Sequence, residues 1–287
     1  MNPPAQTPEW TCPSCGHAAR LHYCAQCGER RQQGSAPGEL QLARHLLYLP
    51  GGPGRKLWGT FYTLIRRPGE LTAAWLEGRR TPYTPPLQLF LAVNFVFFIV
   101  QSLTGLNVFS LPLDTNLHNQ DYSEFANRLL TDHLTAVNLS VAVYAPFYDN
   151  MERLLAKSLV IIMVPLFAVA VSVLGGWRRW PTAAMVFAGH FYAFLMVFLC
   201  VLFPVLSLVL LFLVKVVGWH FDLHTMDNVV SGVEFLACAS YIYFAHGRVF
   251  SLHPVLRATA SVLLVFAVLY ILYAYRLILF LVTLHAT

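Results

Sequence analysis

The stretch PTAAMVFAGHFYAFLMVFLCVLFPVLSLVLLFLV, residues 181–214, contains no charged residue and decides the class of this protein. About 20 apolar residues in a helix cross the hydrocarbon core of a bilayer, which is roughly 30 Å thick. The stretch is long enough for either one tilted helix kinked at Pro204 or two short helices. Four further apolar stretches have the length of a span, residues 87–105, 158–177, 229–245 and 258–284. The sequence therefore predicts an all-α polytopic membrane protein with a five-helix transmembrane bundle.

Composition supports this class, and charge predicts its orientation. Hydrophobic residues make up 57% of the chain and charged residues 11%, against roughly 25% charged residues in soluble proteins. Arginines precede the first stretch and follow the second and fourth, whereas residues 114–152, after the first stretch, are acid-rich. Because cytoplasmic loops carry the excess of Lys and Arg, this alternation favours one helix over 181–214. It predicts a cytoplasmic N-terminus and a C-terminus outside.

The chain divides near Pro86 into a basic N-terminal part and an apolar remainder. We predict a zinc ribbon and linker over 1–36, basic interfacial amphipathic helices over 37–86, and the transmembrane bundle over 87–287. Ten of the 19 Lys and Arg residues precede Pro86 and alternate with apolar runs, so anionic lipid headgroups of the bilayer are expected as partners and nucleic acid is not. The alternative for residues 37–86 is that their helices cover the cytoplasmic ends of the bundle.

Two cysteine pairs near the N-terminus, CPSCG at 12–16 and CAQCG at 24–28, share a two-residue spacing and a following glycine. The thiolates of Cys12, Cys15, Cys24 and Cys27 can surround one zinc ion, and four sulfur ligands leave no open position, so the predicted zinc is structural. Two disulfides are the alternative, disfavoured in a reducing compartment, and a redox dithiol would need only one pair. The surface of the ribbon would be free to bind a cytosolic protein partner.

Basic and aromatic residues also mark the start of the first span. Residues 78–86 read GRRTPYTPP, in which the arginines and the tyrosine suit the headgroup level and the last two prolines break the preceding helix. Topological anchoring is the favoured interpretation of this segment. A lipid- or phosphate-binding site is the alternative, with the residues Arg66, Arg67, Arg79, Arg80 and Tyr83.

Polar residues inside the predicted spans need partners, because a charge there costs at least a few kcal/mol. Glu234 and Arg276 are expected at similar depths near the outer side, which predicts a structural ion pair; a proton- or substrate-handling site is the alternative. Asn94 and His190 are expected at similar depths near the inner side, which predicts an interhelical hydrogen bond.

Potential metal ligands alternate in the segment 220–227, after the third span. They are His220, Asp222, His224 and Asp227. Imidazoles and carboxylates in this number can bind zinc or another divalent ion. The same alternation is common in solvated loops, and that interpretation is favoured here.

Several of these motifs together resemble a known family. The cysteine pairs, RPG at 67–69, and the GRRTPYTPP string running into Phe90 and an apolar span are similar to the bacterial domain-of-unknown-function family numbered 3667. The resemblance covers roughly residues 10–100, and Glu29 stands where it leads us to expect Gln. It implies a bacterial inner-membrane protein with a zinc ribbon and no established activity. The plan of a cytoplasmic region followed by five spans is also similar to that of the Yip1 family of membrane-trafficking proteins.

Function is predicted from the motifs that are present and missing. The sequence contains no Gly-rich phosphate loop, serine-nucleophile elbow or zinc-protease motif. The leading hypothesis is a non-enzymatic scaffold or adaptor of the bacterial inner membrane. The second is a small transporter, channel or lipid-moving protein that uses Glu234, Arg276 and His190. A membrane-embedded enzyme is the third, because only the segment 220–227 offers it a site.

Overall fold

The computed structural model describes residues 9–31, 53–104, 108–175, 181–217 and 223–287. Strands β1 (Trp10–Thr11) and β2 (Ala18–Ala19) pair antiparallel in the ribbon. The helices of the described residues are α1 (Pro53–Arg66), α2 (Glu70–Leu76), α3 (Pro86–Thr104), α4 (Leu113–His118), α5 (Ser123–Val137), α6 (Val141–Leu159), α7 (Met163–Gly175), α8 (Pro181–Phe212), α9 (Leu223–Val249) and α10 (Pro254–Ala286).

Five helical stretches among the described residues are long and apolar enough to cross a membrane, as predicted. They are Pro86–Leu103, Val141–Leu174, Pro181–Val201, Asn228–Val249 and Pro254–Ala286. The chain is therefore an all-α polytopic membrane protein with a cysteine cluster ahead of its first span.

The second of these stretches begins much earlier than residue 158. Helix α6, the 3-10 turn Val160–Ile162 and α7 follow one another without a break, so the apolar stretch Val141–Leu174 has 34 residues. At 1.5 Å per residue it is about 51 Å long, well beyond the roughly 30 Å of hydrocarbon that a span crosses. Charges such as Asp149 and Glu152 made its first half resemble a loop, but both accept backbone hydrogen bonds in the fold.

The uncharged stretch 181–214 forms one helix. Helix α8 runs through Pro204 without interruption and ends in a π-helical turn, Leu213–Val217. Its first half is the most buried of the spans and packs against α3 and α7. Large aromatic side chains fill the centre there, and Phe167, Phe187, Phe191 and Tyr192 are fully buried.

Contacts between distant segments define the two ends of the bundle. The end that contains the start of α3 and the end of α9, called here the ribbon side, also holds α1 and α2. At the opposite end, the far side, α4 and α5 pack on α6 and α10. The apolar faces left exposed on α3, α9 and α10, among them Phe95, Phe244 and Phe266, suit contact with lipid.

Candidate metal centre and its contact with the membrane helices

The four N-terminal cysteines converge on one point. Their sulfur atoms all lie within 4.8 Å of one another, and two of the separations, Cys12 to Cys27 and Cys15 to Cys24, are 3.5 Å. A tetrahedron of zinc–sulfur bonds of about 2.3 Å has sulfur–sulfur edges of about 3.8 Å, so the cluster fits such an ion. All four are free cysteines, and a disulfide would need about 2.05 Å.

Two equivalent turns aim these sulfurs. In each turn the glycine after the second cysteine has a positive φ, 74° at Gly16 and 75° at Gly28, which favours glycine. The amide of Gly16 donates to the carbonyl of Cys12, and that of Gly28 donates to Cys24. The repeated glycine in the sequence therefore has a conformational cause.

The thiols differ in how readily they ionise. Burial opposes ionisation of Cys24, but the backbone amides of Cys27 and Gln26 donate to it and lower its pKa to about 6. Burial raises the pKa of Cys27 to about 12. A bound cation would let all four ionise, since metal binding displaces the thiol protons.

The ribbon is held on the bundle by Glu29, whose importance the sequence did not reveal. One carboxylate oxygen, Oε2, accepts four hydrogen bonds, from the hydroxyl of Ser14 at 2.5 Å, the amide of Arg80 at 3.0 Å, and the amide and hydroxyl of Thr81 at 2.9 and 2.7 Å. Glu29 is only 6% exposed. Burial alone would raise its pKa, but these hydrogen bonds outweigh burial and lower the pKa below its usual value.

The receiving segment, called here the connecting loop, comprises residues 77–85 between α2 and α3. Gly78 has a φ of 85°, and the amide of Thr84 donates to the hydroxyl of Thr60 in α1 at 3.0 Å. The Arg80 guanidinium lies 4.6 Å from the ring centre of Trp75. The loop therefore joins the ribbon, α1 and the start of the first span.

The four arginines proposed for a headgroup site do not form one cluster. Arg79 is paired with Glu70 at 3.2 Å and with Glu77 at 2.7 Å, and Arg80 stacks on the adjacent tryptophan. Arg66 and Arg67 are exposed, and in the described part of the chain their side chains have no ion-pair partner. Tyr83 packs partly buried against the bundle core. Of the residues in the predicted site, Arg66 and Arg67 therefore remain accessible to a headgroup.

Helix α1, close to the start of the first span, has one buried face and one exposed face. Thr60 and Leu64 are at most 1% exposed and face the bundle. Trp58, Tyr62 and Ile65 are 77%, 62% and 51% exposed, and their spacing places them on one stripe of the helix. This second face is apolar and exposed, and the Trp58 ring lies 6.3 Å from that of Phe61 in the same helix.

Helix α2 is a buried part of the bundle rather than an interfacial helix. The hydroxyl of Thr72 lies 2.9 Å from Nδ1 of His190, and both residues are buried. Gly69, with a φ of 81°, starts the helix so close to α9 that an added Cβ would lie 2.7 Å from Cα of Ala245. Arg248 donates to the carbonyl of Pro68 at 2.9 Å. Of the two predicted arrangements, α2 adopts the one that covers the ends of the spans.

The predicted hydrogen bond between Asn94 and His190 was therefore wrong. His190 pairs with α2, and Asn94 donates to the carbonyl of Lys157 at 3.3 Å. Equal depth did not bring the two side chains together, because each faces a different neighbour of its helix.

The predicted ion pair between Glu234 and Arg276 was also wrong. Arg276 donates to the carbonyl of Val108 at 3.1 Å and interacts electrostatically with Glu152, which is 2% exposed and accepts from the amide of Leu111 at 3.2 Å. Glu234 forms no ion pair within the described residues. These contacts tie the far-side segment after α3 to α6 and α10.

The side chains of the second predicted metal site, in the segment 220–227, lie outside the described part of the chain. His220 and Asp222 lie outside the described residues, and so do the side chains of His224 and Asp227. Within the described residues, a search for clusters of three or more Cys, His, Asp or Glu side chains that could hold a metal ion leads to the four cysteines.

A short part of the chain is similar to a known family. Residues 55–98, which hold most of α1, all of α2, the connecting loop and most of α3, match the family described as "Protein of unknown function (DUF3667)". The match does not include the ribbon. No curated protein and no solved structure matches the chain, and the comparisons give no support to the similarity with the Yip1 family.

Proposed function

We propose that this protein is a non-enzymatic scaffold or adaptor of the bacterial inner membrane, with a zinc ribbon on the cytoplasmic side and basic helices against lipid. The observation that carries the proposal is the set of three hydrogen bonds that Glu29 accepts from Arg80 and Thr81, which joins the ribbon to the loop before the first span. A metal domain held in this way presents a surface at a constant distance from the bilayer.

Zinc is the proposed metal. The cluster contains four thiols and no weaker ligand, the chemistry that closed structural zinc sites use. Such a site leaves no coordination position for a substrate, which supports a structural rather than a catalytic role. The cytoplasmic location follows from the basic residues on the ribbon side and the rule that cytoplasmic loops are positive.

The surface proposed for a cytosolic protein partner is the exposed edge of the ribbon. Leu21 and Tyr23 are 71% and 57% exposed. They lie in the segment that joins the two cysteine turns, whereas Glu29, which also accepts a hydrogen bond from Ser14, makes the contact with the connecting loop. Binding at this edge would leave the contact with the loop intact.

The proposed lipid contact is the exposed face of α1. Trp58 and Tyr62 are amphipathic aromatic residues that favour the membrane interface, and the exposed Lys56, Arg66 and Arg67 complement anionic headgroups. The hydrogen bond between Thr84 and Thr60 keeps this face beside the first span. Native mass spectrometry of the purified protein should show bound phosphatidylglycerol that is reduced when Arg66 and Arg67 are both changed to Gln.

Arg128 in α5 provides the matched control, because it is an exposed arginine on the far side. The variant Arg128→Gln should retain as much phosphatidylglycerol as the wild type. Equal retention by all three proteins would contradict the lipid contact.

The test of the scaffold function is complementation of the phenotype that deletion of the gene produces. Changing Leu21 and Tyr23 to Ser should abolish complementation while zinc content and membrane level stay unchanged. Glu234→Gln and Arg276→Gln should complement if protein level is maintained. Loss of complementation by the intramembrane variants alone would contradict the scaffold proposal.

A further inference from the structure

The contact between ribbon and membrane helices is made from parts of the metal-binding turns. Ser14 lies between Cys12 and Cys15, inside the first turn. Glu29 directly follows the second turn, and its carbonyl accepts a hydrogen bond from the amide of Cys24 at 2.8 Å. Glu29, which meets the connecting loop, and Ser14, which donates to Glu29, are therefore positioned by the backbone that also positions the sulfur ligands.

The ribbon has little else to keep these turns folded. Its buried apolar residues within 9–31 are Cys12, Ala19 and Cys24, and its sheet has only two strands of two residues. A core of this size does not offset the conformational entropy of the segment, so metal binding supplies most of its folding free energy. Loss of the ion would release Ser14 and Glu29 together.

The connecting loop would lose hydrogen bonds on this release. The amides of Arg80 and Thr81 and the hydroxyl of Thr81 all donate to one oxygen of Glu29. Helix α3 begins at Pro86, directly after the loop. Without the carboxylate the amide and hydroxyl of Thr81 lose this acceptor, and the Arg80 amide keeps the carbonyl of Gly78 at 3.1 Å, at the point where the first span begins.

We infer that metal occupancy of the cysteine cluster controls the connecting loop, with Glu29 as the coupling residue. The metal-loaded ribbon docks and orders residues 77–85, and the metal-free ribbon undocks and leaves them free to exchange with water or to meet headgroups. This inference rests on the proposed metal centre, but it adds a consequence that a purely local structural metal would not have.

Hydrogen exchange measured by mass spectrometry on the full-length protein in detergent tests the inference. Removing the metal with a chelator should raise the exchange rate of the Thr81 amide at least about tenfold, which corresponds to about 1.4 kcal/mol or more of lost protection. The Arg80 amide, which also donates to the carbonyl of Gly78, should change less. Glu29→Ala should give the same increase while the protein still binds one equivalent of metal. Chelation of Glu29→Ala should add no further increase in the loop, as expected for two changes that act through one contact.

Glu9 provides the matched control, because it is an exposed carboxylate of the same ribbon that pairs with Arg20 at 3.6 Å. Glu9→Ala should leave exchange in the connecting loop at the wild-type rate. A loop that stays protected after chelation would overturn the coupling while leaving the metal centre in place. A wild-type protein that binds no metal would overturn both, and an unchanged loop in Glu29→Ala would overturn the role of Glu29.

Discussion

Replacing Gly69 by Ala tests how tightly α2 is held against α9. Two costs are expected, because φ at this residue is 81° and the new Cβ would lie 2.7 Å from Cα of Ala245 and 2.9 Å from its carbonyl oxygen. A left-handed conformation costs alanine about 1–2 kcal/mol, and overpacking against a backbone that cannot rotate away costs about 1–3 kcal/mol. The reduced conformational freedom of the unfolded chain offsets about 0.4–1 kcal/mol of this, so the net loss of stability is about 1–4.6 kcal/mol.

The assay is thermal unfolding of the purified protein in detergent. A loss of this size should lower the melting temperature by about 2–8 °C for a chain of this length. Gly232→Ala in α9 is the matched control, because nothing lies within 4 Å of its added Cβ and its φ is not positive. That variant should melt within about 2 °C of the wild type or slightly higher, since alanine favours helices by about 1 kcal/mol over glycine. Equal melting temperatures for Gly69→Ala and Gly232→Ala would refute the close packing of α2 on α9.

Three further predictions concern other contacts. Thr72→Val should lower the melting temperature, because Nδ1 of buried His190 loses its partner at a cost of about 1–3 kcal/mol; an unchanged melting temperature would contradict the hydrogen bond. Glu152→Ala should destabilise the protein by about 3 kcal/mol in the same assay, because Glu152 is buried against a backbone amide and Arg276. Glu234→Ala should destabilise it by clearly less, and the reverse order would refute the far-side contacts. Cys15→Ser should reduce bound metal below half an equivalent by elemental analysis, and full retention would exclude Cys15 as a ligand.

The helices that span the membrane could be predicted, because the hydropathy of a segment depends only on the residues within that segment. The cysteine cluster could be predicted for a similar reason, since two short turns with fixed spacing need only local geometry to converge. The start of the second stretch was missed, because hydropathy alone cannot tell a charged loop from a helix whose carboxylates, such as that of Glu152, are bonded in the fold.

Partners across the bundle could not be predicted. Depth along a helix follows from residue count, but the face that a side chain occupies depends on how the helices pack, so Asn94 and His190 have different partners at similar depth. The Glu29 contact joins residues more than 50 positions apart through backbone amides, which carry no sequence signature. A lone glutamate after a cysteine turn gave no indication of it.

The rate at which a chromogenic chelator removes zinc from the purified protein tests the central claim most directly. If docking and metal binding stabilise each other, a ribbon held by Glu29 binds its metal more tightly than a free one. Affinity differences of this kind appear mainly in the dissociation rate, so release should be slower. Glu29→Ala should release zinc at least about tenfold faster than the wild type, Thr81→Val should lie between them, and Glu9→Ala should match the wild type. Identical release rates for Glu29→Ala and the wild type would contradict the claim that the metal ribbon is coupled to the membrane helices.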